Sequence, residues 1–328
     1  MVKTIIRLKA LMLIAALVCS TFVFSAKGVK NNKNSINVEK IKSKFLVAPY
    51  YINEYSILSV SNRNTDRNSI IYKPNIRGSL GAKLGYQFIS FSFAFRLPQS
   101  DLQGNTKATK IELNIQKRIF GFSIFYSSYK GMYLKNPDDF GINYDAGYLL
   151  RPDIKLTTVG FQTNFIFSRK FSINAAFEQN ERQKESAGSF MITLGDRFMN
   201  IKADSSFIIR QEQQYYDESN GITNININNI KFAPGAGYTM VFNNNISLTA
   251  IVLAGFDLQM NIYKQTNDYN FRLGLPFFIQ TKTAFGYNGD LWFGNFIYNI
   301  EYGKIKFPDS KFSTFSNYFK ISIGRRFG

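Results

Sequence analysis

The 328 residues carry 40 Lys and Arg against 22 Asp and Glu, a formal charge of +18, with 16% aromatic side chains and no histidine. Without histidine there is no Ser-His-Asp triad, no Asp-His protease centre and no His-ligated zinc, and one cysteine leaves neither a disulfide nor a thiolate metal cluster. Mean hydropathy is −0.16, and no unbroken apolar run of about 18 residues follows the N-terminal segment, which excludes helical membrane spans.

Residues 1–26 read as a signal peptide. Lys3, Arg7 and Lys9 form the basic start, Ala10 to Val18 with Phe22 to Phe24 the apolar core, and cleavage is expected near Ala26. Cys19 raises the rival reading of a lipoprotein signal, but Val18 stands before it where a smaller residue is expected. Export makes nucleic acid an unsuitable partner. Residues 27–45, rich in Lys, Asn and Ser and without a period, read as a flexible periplasmic lead.

From residue 46 to 328 apolar and polar residues alternate in segments of about ten, as in the wall of an outer-membrane barrel. The expected strands lie near 54–62, 75–86, 89–97, 107–118, 120–129, 154–167, 171–181, 188–200, 203–212, 229–242, 246–256, 269–285, 290–302 and 316–327. Short turns fall at 87–88, 119, 168–170, 243–245 and 286–289, and long loops at 98–106, 130–153, 213–228, 257–268 and 303–315. The fold class is therefore all-β, a transmembrane antiparallel up-and-down barrel of about 14 strands, or 12, with both termini at the short-turn side.

Within 89–97 one face holds Ile89, Phe91, Phe93, Phe95 and Leu97, and the other Ser90, Ser92, Ala94 and Arg96. Lys110, Glu112, Asn114, Gln116 and Arg118 oppose Ile111, Leu113 and Ile115 in the same way. A Lys or Arg facing lipid at the bilayer midplane costs about 2–4 kcal/mol, so the polar faces must line the lumen. Arg96, Lys110, Glu112, Arg118, Glu178, Arg272 and Lys282 are the candidate lumen charges. Glu112 and Glu178 form the inward carboxyl pair to be weighed as catalytic, and an ion-pair network with Arg118 and Arg182 explains them without chemistry. No catalytic, cofactor-binding or metal residue is expected. Asp139, Gly141, Asn143 and Asp145 space oxygens as a calcium loop does, but the twelfth position is Leu150 where a bidentate Glu is required.

The segments Tyr126 to Leu134, Arg151 to Ile154, Ala175 to Glu181, Gln183 to Phe190 and Asp204 to Ser206 resemble the Bacteroidota family catalogued as domain of unknown function 4421. The resemblance implies an outer-membrane barrel in a Gram-negative host and assigns no activity. Phe319, Ile321, Ile323 and Phe327 resemble the C-terminal strand by which such barrels engage the barrel assembly machinery, although Gly328 follows the last aromatic.

The basic surface points to anionic solutes and to the phosphates of lipopolysaccharide in the outer membrane. The function expected from the pattern is a passive pore or transport barrel for small solutes that prefers anions if it conducts; the alternative is a structural, surface-interaction barrel whose lumen is plugged and whose long loops bind a partner. Neither is an enzyme.

Overall fold

A computed structural model describes residues 37–62, 65–97, 103–142, 148–216, 219–265, 268–306 and 310–328. The expected signal peptide and the lead as far as residue 36 lie outside the described residues, as do Asn143 and Asp145. The strands are β1 (Val38–Lys40), β2 (Phe45–Asn62), β3 (Ile70–Lys73), β4 (Ser79–Tyr86), β5 (Ile89–Arg96), β6 (Lys107–Gln116), β7 (Phe120–Leu134) and β8 (Leu150–Ile166). They continue as β9 (Glu181–Gln183), β10 (Ala187–Lys202), β11 (Ile222–Val241), β12 (Ile246–Gln265), β13 (Asp268–Gly274), β14 (Phe277–Asn288), β15 (Trp292–Lys306) and β16 (Ser310–Phe327).

All pairing is antiparallel. Twelve strands, β2, β4 to β8, β10 to β12 and β14 to β16, form a closed barrel, each beside its predecessor, with β16 returning to β2. Closure removes the edges that an open sheet would leave unpaired. The short β3 joins β2 and β7 at the loop end, and β13 extends the sheet beside β12. Phe45 pairs with Phe327, so both ends of the barrel chain lie at the short-turn end.

Two expected strands are not strands. Segment 171–181 enters the barrel as a π-helical turn, Asn174–Glu178, and its end runs into β9, which pairs with β1. Segment 203–212 leaves the wall and ends in a 3-10 turn, Arg210–Tyr215. The lead is held where Val38–Lys40 forms β1. The expected loops at 257–268 and 303–315 are largely ladder, because β12 runs to Gln265, β15 to Lys306 and β16 from Ser310. The expected strand 269–285 is broken at Leu275 and Pro276, since proline cannot donate to a ladder.

About 9–11 tilted residues cross a bilayer, yet β11 and β12 have 20 each. The surplus has its own polarity. Near the short turns β11 points Tyr238, Phe232 and Ile230 outward, and Thr239 and Lys231 inward. Beyond Asn229 the code inverts: Asn226 and Asn224 face out, where both accept from Asn200, while Ile227 and Ile225 are fully buried inside. β8 does the same, with Val159 outside at mid-strand and Ile154 and Leu156 buried inside toward the loop end. The lower storey is oily outside and polar inside, as lipid demands, and the upper storey on this side is packed like a protein in water.

Candidate functional site

The lumen is the concave feature of the fold, and its lower end is filled by the link between β8 and β10. Ser172 Oγ accepts from the backbone N–H of Ala175 at 3.0 Å and so starts the π-helical turn. Gln179, at φ 62°, ends it. Ala175 and Ala176 let the turn lie close to the wall, where Asn288 donates to Ala175 O and Asn295 to Ala176 O, each at 3.3 Å. Phe171 is fully buried against Ile166, Met191, Ile251 and Phe278. Gly237 makes that fit, because a Cβ there would lie 2.8 Å from Phe171 Cζ.

Charged tethers surround the plug. Lys83 Nζ lies 2.7 Å from Glu178 Oε2 and donates to Phe177 O at 3.0 Å, while Ser90 donates to Glu178 at 2.6 Å. Arg118 binds Glu181 with Nε and Nη2, and Ser172 donates to Glu181 at 2.6 Å. Arg182 pairs with Asp290 and Glu39 and donates to Asn288 O. Arg326 donates to Gln179 O and to Gly289 O. The hydrogen bond from Arg182 holds the Asp290 carboxyl below the usual carboxylate range.

Above the plug the wall charges are largely paired. Lys110 meets Glu54 at 3.0 Å. Arg197 meets Glu301 at 2.6 Å and Asp257 at 3.9 Å, and Lys231 lies 3.5 Å from the same Glu301. A cavity of about 20 Å³ between Glu54, Lys110 and Tyr129 has room for about one water.

The upper end holds an apolar cluster on the side of β2, β7, β8, β10 and β11. Tyr72, Phe207, Tyr216, Ile222 and Ile225 are fully buried in one cluster with residues of β2, β7, β8 and β10. Tyr72 Oη donates to Phe207 O at 2.7 Å, Arg151 donates to Ser206 O at 3.0 Å, and Arg67 grips Glu212 through two hydrogen bonds of 2.6 and 2.7 Å.

The expected lumen charges take these places. Lys110, Arg118 and Glu178 are paired as described, with Glu178 on the plug rather than on a wall strand. Glu178 pairs with Lys83, not with the expected Arg118 or Arg182. Glu112 shares the inner face of β6 with Lys110, and Lys320 lies within its electrostatic reach. Lys282 lies near Glu301. Arg96 donates to Asn105 and to Thr106 O at the loop end. Arg272 stands apart on β13. In the last strand Ile321, Ile323 and Phe327 point outward and are exposed. The sequence reading missed the partners Lys83, Glu54, Glu181, Asp257 and Glu301. Alternation marks such residues as inward but does not say which opposes which across the lumen. Among the described residues no three Cys, Asp or Glu side chains come together as a metal site.

Fold and filling together define a closed twelve-stranded antiparallel barrel with an apolar external belt and a lumen occupied at both ends. The chain belongs to the family described as Domain of unknown function (DUF4421), whose model matches residues 35–327. No curated protein matches it in sequence. Among solved structures it is similar to the translocator domain of the autotransporter NalP from Neisseria meningitidis, at 10% identity and a TM-score of 0.44, over 97% of this chain and 98% of that one. It is also similar to the outer membrane protease OmpT from Escherichia coli, at 8% identity and a TM-score of 0.41, over 88% and 98%. The P. putida toluene transporter TodX gives 8% identity and a TM-score of 0.33 over 87% and 90%.

Proposed function

We propose that the protein is an outer-membrane barrel, exported by its N-terminal signal, that rests closed and serves as a structural or surface-interaction element. The plug at the short-turn end carries this reading, since the buried cationic side chains that hold it by ion pair or hydrogen bond sit at wall positions as far apart in sequence as Lys83 and Arg326. The apolar upper cluster adds a second filling. Activity then belongs to the outer surface, the loops and the lipid around the wall, including lipopolysaccharide phosphates. Ile321, Ile323 and Phe327 offer the assembly machinery an apolar strand face. A passive anion pore requires both fillings to move, and the pairing of Lys110 and Arg118 with acids leaves those cations no free charge to offer a solute. Recording from the refolded chain in planar bilayers tests the reading: a silent membrane is expected, and stable unitary steps from the wild-type chain overturn it.

A further inference from the structure

The wall changes character at β13. Leu275 and Pro276 separate it from β14, and Pro276 O accepts from the Asp257 N–H at 3.0 Å, so the chain stays on β12 across the break. Beyond that point β13 pairs with β12 alone, from Gln259 against Gly274 to Gln265 against Asp268. β14 follows β15 only as far as Ile279 against Tyr302, after which β15 continues against β16 to Lys306. Among the described residues, the edge of β13 that faces β15 therefore has no ladder partner, and the wall carries a slit.

A cavity of about 170 Å³ lies at this edge, lined by Gln259, Asn261, Arg272, Leu273, Leu275 and Pro276. Asn261 is 1% exposed, and its amide oxygen accepts no hydrogen bond. The Arg272 guanidinium has no hydrogen-bond or ion-pair partner among the described residues. Outside the slit, Phe271 at 62%, Leu273 at 60% and Leu275 at 65% are among the most exposed apolar side chains. The outward face of β12 stays apolar through Leu258, Met260 and Ile262, opposite Ile230, Asn228 and Asn226 of β11, so the apolar belt reaches higher on β12 and β13 than on β11. Oily flanks beside a lone cation and an unmet acceptor call for a ligand with an acyl tail, a negative charge and a hydroxyl.

We propose that this slit binds a membrane phospholipid with an anionic phosphoglycerol headgroup. Arg272 takes the phosphate, a headgroup hydroxyl donates to Asn261, and the acyl chains lie over Phe271, Leu273 and Leu275. The assignment rests on the membrane-barrel reading above.

The test is native mass spectrometry of the full chain released from micelles holding equal phosphatidylglycerol and phosphatidylcholine. The wild type should retain the glycerol lipid about tenfold more than the choline lipid: both carry a phosphate, but the choline ammonium offsets the charge that Arg272 meets and choline has no hydroxyl to donate to Asn261. Arg272→Gln should bring that ratio close to one, and Leu275→Ser should reduce retention of both lipids. Heat-modifiable gel migration certifies that each variant is folded. Equal retention by the wild type, or an undiminished preference in folded Arg272→Gln, overturns the site. Displacement of the lipid by an equal concentration of free glycerol phosphate also overturns it, since the acyl chains then add nothing. Recovery of the chain from cells as a soluble protein counts instead against the membrane reading.

Discussion

The Lys83 ammonium on wall strand β4 and the Glu178 carboxylate on the plug meet 2.7 Å apart inside the barrel. Each is nearly shut off from solvent, so their attraction is offset by the cost of removing both from water. Deleting one partner is different, because it strands the other charge at a cost of about 3–5 kcal/mol.

Lys83→Met should therefore loosen the plug while the barrel survives. Hydrogen exchange across 172–182 is expected to rise, with β4 and β5 still protected. The double variant Lys83→Met with Glu178→Met should recover much of the loss, since no lone charge remains. Unchanged exchange in the single variant contradicts the tethering role.

Plug anchoring should weaken in acid. Hydrogen bonding from Arg182 lowers the folded-state pKa of Asp290 from 3.8, so this contribution is complete above that value and is lost as pH falls through the lower, folded one. Asp290 is 87% exposed, which keeps the effect small. Exchange at Glu181–Gln183, corrected for intrinsic rates, should rise below about pH 4. Asp290→Asn should already show the raised exchange at neutral pH. A wild-type profile with no acid rise counts against the pair.

Along β11 the outward positions should respond to charge according to height. Phe232→Lys places an ammonium in the apolar belt and should cost about 2–4 kcal/mol. Asn226→Lys, on the polar upper storey, should cost little beyond its hydrogen bond with Asn200. Urea-dependent folding into lipid vesicles measures both, and equal penalties would remove the proposed boundary.

Glu301→Gln should be severe, because Arg197 and Lys231 share that carboxylate. A loss of about 3–5 kcal/mol is expected in the same folding assay. A midpoint matching the wild type would mean that solvent, rather than Glu301, neutralises these cations.

Orientation can be read on intact cells. An epitope inserted at Asn220, in the upper storey, should be reached by antibody, whereas one at Asn244, in the short turn between β11 and β12, should be hidden until the outer membrane is opened. The reverse pattern inverts the barrel.

Much of the wall is legible in the sequence because alternation in 89–97 and 110–118 is governed by lipid on one face alone. The plug is not, for a specific reason. Phe171, Ile173, Ala175 and Phe177 alternate with Ser172, Asn174, Ala176 and Glu178, so the segment looks like strand although it ends in a π-helical turn. Its run of Ala175, Ala176, Phe177 and Glu178, with no β-branched residue, is the signal that favours a helical turn. Asp204, Ser205 and Ser206 likewise mark a turn at the start of the expected strand 203–212. The extent of β11 is obscured where the inward series passes from Ile227 to Asn229, because a phase break in period-two patterning resembles the end of a strand. Arg197 and Glu301 are 104 residues apart, and no local pattern records their meeting.

The inversion of polarity along β11 also acts during assembly. A slip of one residue against β10 would turn Lys231 toward hydrocarbon and, in the same movement, push Ile225 and Ile227 out into water while drawing Asn224 and Asn226 into the upper packing. A mispaired hairpin is thus penalised at two heights by two different solvents. Lipid and water proofread the same strand from opposite ends.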